Sequence, residues 1–217
     1  MNVQIGDAAV RMTKGGRTKM ALLGAAEREF AEFGFDAVSV RQVADSAGQN
    51  VGVLTYHFPT KEELFEAVVA RRADELTERR RAVVDSLVDP TLEDLLDAFL
   101  GPFRERIENG EPGWRSYARI LAHIAQESRW APLVDEFFGE AGRRFIRLLR
   151  QVEPKLSLDT ATHGYVHLIA IMVGLFASTG LIDRLSSGRM SSEDLASNYD
   201  FAMRFLAGGF RALSSEN

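Results

Sequence analysis

The chain has 217 residues, a formal charge of −5, 46% apolar residues and no cysteine. That length serves one large domain or two small ones, and the apolar share supports a true core. Lack of cysteine excludes disulfides, thiolate metal ligands and thiol nucleophiles and fits a reducing cytoplasm, while the acidic balance excludes nucleic-acid binding through bulk charge.

The N-terminal MNVQIGDAAVRM has no long apolar run, so no secretory signal is expected. Arg11, Lys14, Arg17 and Lys19 then form a basic run free of acids, which gives an acidic chain one end suited to phosphates. A first helix is expected over about 17–33, with Leu22, Ala26, Phe30 and Phe33 inward. Ser39 can cap the next helix, with Gln42 three residues on, and Val40, Val43, Ala44 and Ala47 share one face. Gly48 suits the left-handed residue that ends such a helix. Asn50 can cap a third short helix carrying Leu54 and Phe58, which Pro59 stops. Two short helices around a glycine turn make a helix-turn-helix, whose second helix enters a DNA groove.

Thr60 and Glu63 form a capping box for a fourth helix, about 61–87, with Leu64, Phe65, Val68, Val69 and Leu76 inward. Its charged stretch from Arg71 to Arg81 suits a helix crossing solvent between two domains. Helices follow over about 91–108, 114–128, 132–152, 158–184 and 192–213, separated by the Asn109–Gly113 cluster, Pro132, Pro154 and Ser186-Ser187-Gly188. Nothing reads as a strand, so the expected class is all-α with about nine helices. The apolar run from Tyr165 to Ile182 contains His167, Ser178 and Thr179, and reads as a buried or interface helix rather than a membrane span.

The segment ALLGAAEREFAEFGFDAVSVRQVADSAG, continued by YHFPTKEEL, resembles the DNA-binding domain of the tetracycline-repressor (TetR) family of bacterial transcriptional regulators. The carriers are the Phe30-x-x-Phe33-Gly34-Phe35 corner, Ala44-x-x-Ala47-Gly48, Tyr56-His57-Phe58 and Lys61-Glu62-Glu63-Leu64. The chain departs from the family pattern at Gln49, Val51 and Thr55, which removes phosphate-binding groups. The resemblance implies residues 1–60 as the N-terminal arm and DNA-binding domain, and 61–217 as a ligand-binding and dimerisation domain bridged by the fourth helix. It implies a cytoplasmic, non-enzymatic regulator, a repressor that leaves a palindromic double-stranded operator when a small effector binds.

The candidate DNA contacts are Arg17, Lys19, Ser39, Arg41, Asn50, Val51, Gly52, Val53, Thr55, Tyr56, His57 and Lys61. Arg41 can reach a guanine edge or a phosphate, small residues can approach thymine methyls, and Lys61 adds a cation at a helix N-terminus. The candidate ligand cavity is built from Phe99, Phe103, Trp114, Tyr117, Leu121, Phe137, Phe138, Met172 and Phe176, with His123, Gln126 and His167 as polar groups. The effector is expected to be largely apolar and not anionic, because no arginine lies on the inner faces of the helices over 114–128 and 158–184. The homodimer would form through the last two long helices, at Gly164, Ala170, Gly174, Ala177, Ala202, Ala207 and Gly208. No cofactor and no membrane partner are expected. One alternative stays open: His163 and His167, four apart, could serve a metal-binding protein or enzyme, although no third ligand is evident.

Overall fold

A computed structural model describes residues 13–215, so Arg11 lies outside the described part. Within it are ten α-helices and one 3₁₀ turn, and no strand. They are α1 (Lys14–Ala37), α2 (Val40–Ser46), α3 (Val51–His57), α4 (Lys61–Ser86) and α5 (Leu92–Glu108). After them come α6 (Trp114–Ile124), the 3₁₀ turn (Ser128–Trp130), α7 (Ala131–Val152), α8 (Leu158–Ala177), α9 (Leu181–Leu185) and α10 (Leu195–Ser215).

The N-terminal helices start where side-chain caps satisfy their orphan N–H groups. Ser39 accepts from the Gln42 amide, Asn50 from Val53 and Thr60 from Glu63. Gly48 adopts φ +64°, and the Gln49 amide then donates to the Ala44 carbonyl at 2.9 Å. α1 contains one non-helical residue, Gly34, with φ +76°. That turn carries Phe35 inward, where its ring meets Phe65 at 5.1 Å and Trp130 at 4.9 Å. Phe33, expected inward, is exposed instead. The glycine shifts the helical phase by about one position, so Phe35 takes the interior place.

α4 is the shared helix, about 39 Å long at 1.5 Å per residue. Leu64, Phe65, Val68 and Val69 are buried on its first half, which packs against α1. Its second half packs against α5 and α7. The charged stretch was expected in solvent throughout, but Arg72 is only 7% exposed and Arg80 is half-buried. In the C-terminal half, α8 packs on α6, α7 and α10, while α6 also packs on α1. Phe103 stacks on Phe176 at 4.8 Å and meets Trp114 at 5.3 Å, forming an aromatic centre.

α1 runs from Lys14 to Ala37 rather than over 17–33, and three boundaries in the C-terminal half also differ from expectation. The helix expected over 158–184 ends at Ala177, and the chain resumes as the short α9. Ser178 sits at φ +50° and its hydroxyl donates to Glu193 at 2.7 Å, which locks the break. Hence there are ten helices rather than nine. α6 ends at Ile124 because the chain tightens into the 3₁₀ turn. α10 starts at Leu195, with the Asp194 carboxylate accepting from the Ser197 amide at 3.2 Å. α8 is long and apolar enough to cross a membrane by length and composition. In the fold it buries Leu168, Met172 and Phe176 against neighbouring helices.

Candidate functional site

The helix-turn-helix presents a compact polar face. Arg41, Gly52 and Thr55 are exposed, and Tyr56 is 83% exposed. Arg17 and Lys19 are exposed on the first turns of α1, and Lys19 reaches over the Phe58 ring at 5.6 Å, next to the end of α3. Lys19 of α1 and the end of α3 therefore share one side. His57 is half-buried beside Tyr56, 5.2 Å between rings. Ser39 and Asn50 spend their oxygens on capping. Thr55 returns its hydroxyl to the Val51 carbonyl at 3.1 Å. Val51 and Val53 are half-buried and pack against the core. Lys61 is turned inward: its Nζ donates to the Asp36 carbonyl at 3.3 Å and lies 4.4 Å over the Phe35 ring.

The second feature is a cavity of about 680 Å³ between α4, α5, α6, α7 and α8. Phe99, Leu121, Gln126, Phe138 and Met172 line it, as the sequence suggested. Leu76, Val134, Ile146, Ile169 and Val173 add aliphatic walls, and Tyr165 adds a phenol. Phe103, Trp114, Tyr117 and Phe176 do not reach it; they are fully buried in the aromatic centre, where Tyr117 donates to the Val69 carbonyl at 3.2 Å. Phe137 is half-buried outside the cavity lining. His123 is exposed and lies beside Gly34 rather than at the cavity. His167 is exposed on the outer face of α8, with Nδ1 2.8 Å from the His163 carbonyl and so acting as donor. No group of three metal-ligating side chains exists among the described residues.

Among the lining residues the sequence reading missed is a half-buried cation. Arg80 lines the cavity, although α6 and α8 carry no arginine there. Its Nε donates to the Phe99 carbonyl at 2.7 Å, its Nη2 lies 3.0 Å from the Met172 sulfur, and the guanidinium sits 3.8 Å over the Phe99 ring. Burial lowers its pKa to about 10, so it stays protonated at neutral pH. Burial likewise raises the Tyr165 phenol, against a smaller opposing effect of Arg80.

Besides the packing of α6 on α1, two junctions connect the cavity region to α1 and the first half of α4. Residues 124–128 line the cavity, and Arg129 and Trp130 follow directly. Arg129 forks onto both Asp36 carboxylate oxygens, at 3.0 and 2.6 Å, just after the Gly34 turn. That hydrogen bond holds the Asp36 carboxyl below the usual carboxylate range. Trp130 packs on Phe65 at 4.6 Å. The second junction is a buried ion pair. Arg72 of α4 grips Glu27 of α1 through two bonds of 2.9 and 3.0 Å, and donates to the Pro112 carbonyl at 2.7 Å. Gly113 makes room: a Cβ there would lie 2.0 Å from Glu27 Oε1, and its φ is +87°.

The small residues expected at a dimer surface divide into two groups. Gly164, Ala177, Ala202 and Ala207 are buried within the chain, and a Cβ on Gly164 would meet the Phe210 ring at 2.2 Å. Gly174 and Gly208 are open, and Ala170 is exposed at the cavity wall. Phe201 and Phe205, missed by the sequence reading, are 62% and 63% exposed and stacked 6.2 Å apart. With Gly208 they form an i, i+4, i+7 stripe on α10.

The sequence model "Bacterial regulatory proteins, tetR family" matches residues 22–68, and "Tetracyclin repressor-like, C-terminal domain" matches 97–209. The HTH-type transcriptional repressor KstR2 of Mycobacterium tuberculosis (strain ATCC 25618 / H37Rv) is 36% identical over 114 residues, 52% of this chain and 56% of that protein. The chain's match thus spans little more than half the length of that relative. The dual regulator CecR of Shigella flexneri is 40% identical over 68 residues, 31% of this chain and 30% of CecR. The KstR2 structure superposes with a TM-score of 0.61 at 22% identity, covering 88% of this chain and 93% of that one. The structure titled SmeT-Triclosan complex superposes with a TM-score of 0.63 at 20% identity, covering 89% and 91%. The C-terminal match alone spans over half of the 217 residues, and the helix-turn-helix matches separately. The chain therefore belongs to the tetR family of bacterial regulatory proteins.

Proposed function

We propose that the protein is a ligand-responsive transcriptional repressor that holds a palindromic operator as a homodimer and releases it when a small, largely apolar effector fills the cavity. The observation that carries this reading is one continuous segment, 124–130. Its first residues wall the cavity, and its last two grip the end of α1 and the start of α4. An effector works through its preference for one arrangement of that segment over another. KstR2 and CecR, by their names, are transcriptional regulators, and the SmeT structure contains triclosan, which support the assignment.

Arg17, Lys19, Arg41 and Tyr56 form the candidate contact face, with phosphates setting register and Arg41 placed to read a base edge. The stripe of Phe201, Phe205 and Gly208 on α10, together with Gly174 on α8, is the surface for the second copy. A two-fold dimer matches paired half-sites one helical turn apart. The reading assigns no catalytic residue and no cofactor, and places the protein with the DNA in the bacterial cytoplasm. The test is enrichment of random duplexes on the purified chain, followed by retardation assays across salt. A palindromic consensus is expected, with affinity falling steeply as salt rises because bound phosphates release counterions. Recovery of no consensus at low salt would sink the reading.

A further inference from the structure

Arg80 poses an energetic problem that the protein does not solve internally. No carboxylate lies within ion-pair distance of it among the described residues. Two acids line the same cavity, but both are committed elsewhere: Glu127 to Arg129 at 2.6 Å and Asp135 to Arg143 at 2.7 Å. A guanidinium has five N–H donors. Nε is used on the Phe99 carbonyl, and Nη2 finds only a thioether sulfur, a weak acceptor. The other donors have no acceptor among the described residues. Holding such a charge beside apolar walls is unfavourable unless a counter-charge arrives.

We propose that Arg80 anchors the acidic group of an amphipathic effector, a mainly hydrocarbon molecule ending in one carboxylate. The proposal rests on the reading of this cavity as the effector site and adds its ligand class. The guanidinium fork matches a carboxylate in two parallel bonds. Tyr165 lines the same space, lies close enough to Arg80 for each to perturb the other's proton affinity, and can donate a further bond from its phenol. Phe99 below the guanidinium fixes its plane. The aliphatic walls take the hydrocarbon body. A single uncompensated cation suits one negative charge, and the surrounding apolar surface disfavours a polyanion. The expectation of a non-anionic ligand is thereby revised. It considered the inner faces of α6 and α8, whereas the cation comes from α4.

The test uses the full chain and two matched sets of probes: decanoate, decan-1-ol and decyltrimethylammonium, then 2-naphthylacetate and 2-(2-naphthyl)ethanol. Isothermal titration calorimetry should show at least one acid binding about tenfold or more tighter than its alcohol, the usual advantage of a charged hydrogen-bonded pair, and no binding of the ammonium probe. This comparison needs no variant. In Arg80→Gln, checked for fold by circular dichroism, the preference should fall to within about threefold; in Tyr165→Phe it should shrink but persist. Alcohols binding as tightly as acids, neither acid binding, or a preference that survives Arg80→Gln would each overturn the proposal. Retardation of the enriched duplex by ligand-free protein is measured on the same preparation. Duplex binding without acid binding refutes the anchor and spares the repressor, and acid binding without any duplex binding does the reverse.

Discussion

The buried Glu27–Arg72 pair invites a quantitative test. Arg72→Met keeps the length and apolar stem of the side chain but removes the guanidinium. Glu27 is 2% exposed, so its carboxylate would be left in the interior with Arg71, whose Nη1 is 3.6 Å away, as partial compensation. The Pro112 carbonyl would also lose its 2.7 Å donor, and the Trp114 ring its cation at 4.9 Å. Breaking a buried pair by removing one partner costs roughly 3–5 kcal/mol, and the remaining Arg71 argues for the lower end, about 3 kcal/mol. For a chain of this size that lowers Tm by about 6–12 °C. Removing both charges in Glu27→Leu/Arg72→Met leaves no orphan charge, so the double variant should be more stable than Arg72→Met alone.

The assay is thermal unfolding followed in parallel by circular dichroism and tryptophan fluorescence, at one fixed protein concentration because a dimer's stability depends on it. Gly113→Ala tests the same junction from the other side. Its Cβ would land 2.0 Å from Glu27 Oε1 and 2.2 Å from Arg72 Nη2, at a φ of +87° that alanine disfavours. It should cost about as much as breaking the pair, with the left-handed backbone alone supplying about 1–2 kcal/mol. If Arg72→Met melts within about 2 °C of wild type, or the double variant is no more stable than the single one, the pair is not the clamp described.

On the DNA face, Tyr56→Ala should weaken retardation of all duplexes, whereas Arg41→Ala should relax preference at one base position by about 1–3 kcal/mol if it reads a base; wild-type affinity in both would place the DNA elsewhere. Phe205→Glu or Gly208→Glu should give monomers in sedimentation and poor operator binding, and an unchanged dimer would reject the α10 stripe as the contact. The Asp36 carboxyl, depressed by its hydrogen bonds from Arg129, should titrate below the ordinary carboxylate range by NMR and return to it in Arg129→Ala. Because its folded value is lowered, the contact helps above the ordinary Asp pKa and fades as pH falls through the folded one. The same variant should weaken the effect of effector on operator affinity, and unchanged coupling would remove Arg129 from the path.

The helix-turn-helix was legible because its determinants are local. Ser39, Asn50 and Thr60 each cap the residues immediately after them, and Gly48 needs only its own φ to end α2. The cavity was legible only in part, since its walls come from five helices distant in sequence. Phe99 and Phe103 are one turn apart on α5, yet the first faces the cavity and the second the aromatic centre. Periodicity marks both as interior and cannot divide the interior into void and core. The Gly164 and Gly174 pair shows the same limit at the surface: one admits Phe210 of the same chain and the other faces open space. Arg72 and Arg80 escaped notice for a different reason. A run of arginines and glutamates reads as a solvated face, and only the packing of α4 against α1, α5 and α7 shows which members are taken inside.

Those two arginines also explain how one helix can serve both halves of the molecule. They are eight residues apart, just over two turns, so they project about 80° apart around α4 and about 12 Å apart along its axis. Arg72 is already neutralised by Glu27, so its interaction fixes α4 to α1. Arg80 has no acid partner among the described residues, which is what the proposed ligand would supply. If the proposal holds, a counter-ion at Arg80 would act on the same helix that meets α1 at Arg72. It would do so beside the 124–130 segment, which holds the DNA-binding domain at Asp36 and Phe65. The domain is thus held at these two points in addition to the packing of α6 on α1. Its orientation follows the relative placement of α4 and the 124–130 segment, and both border the cavity. An effector need only alter the spacing between those two walls to change the angle of the recognition helix. A coupling of about 1–3 kcal/mol between cavity and operator would be sufficient to shift occupancy by one or two orders of magnitude.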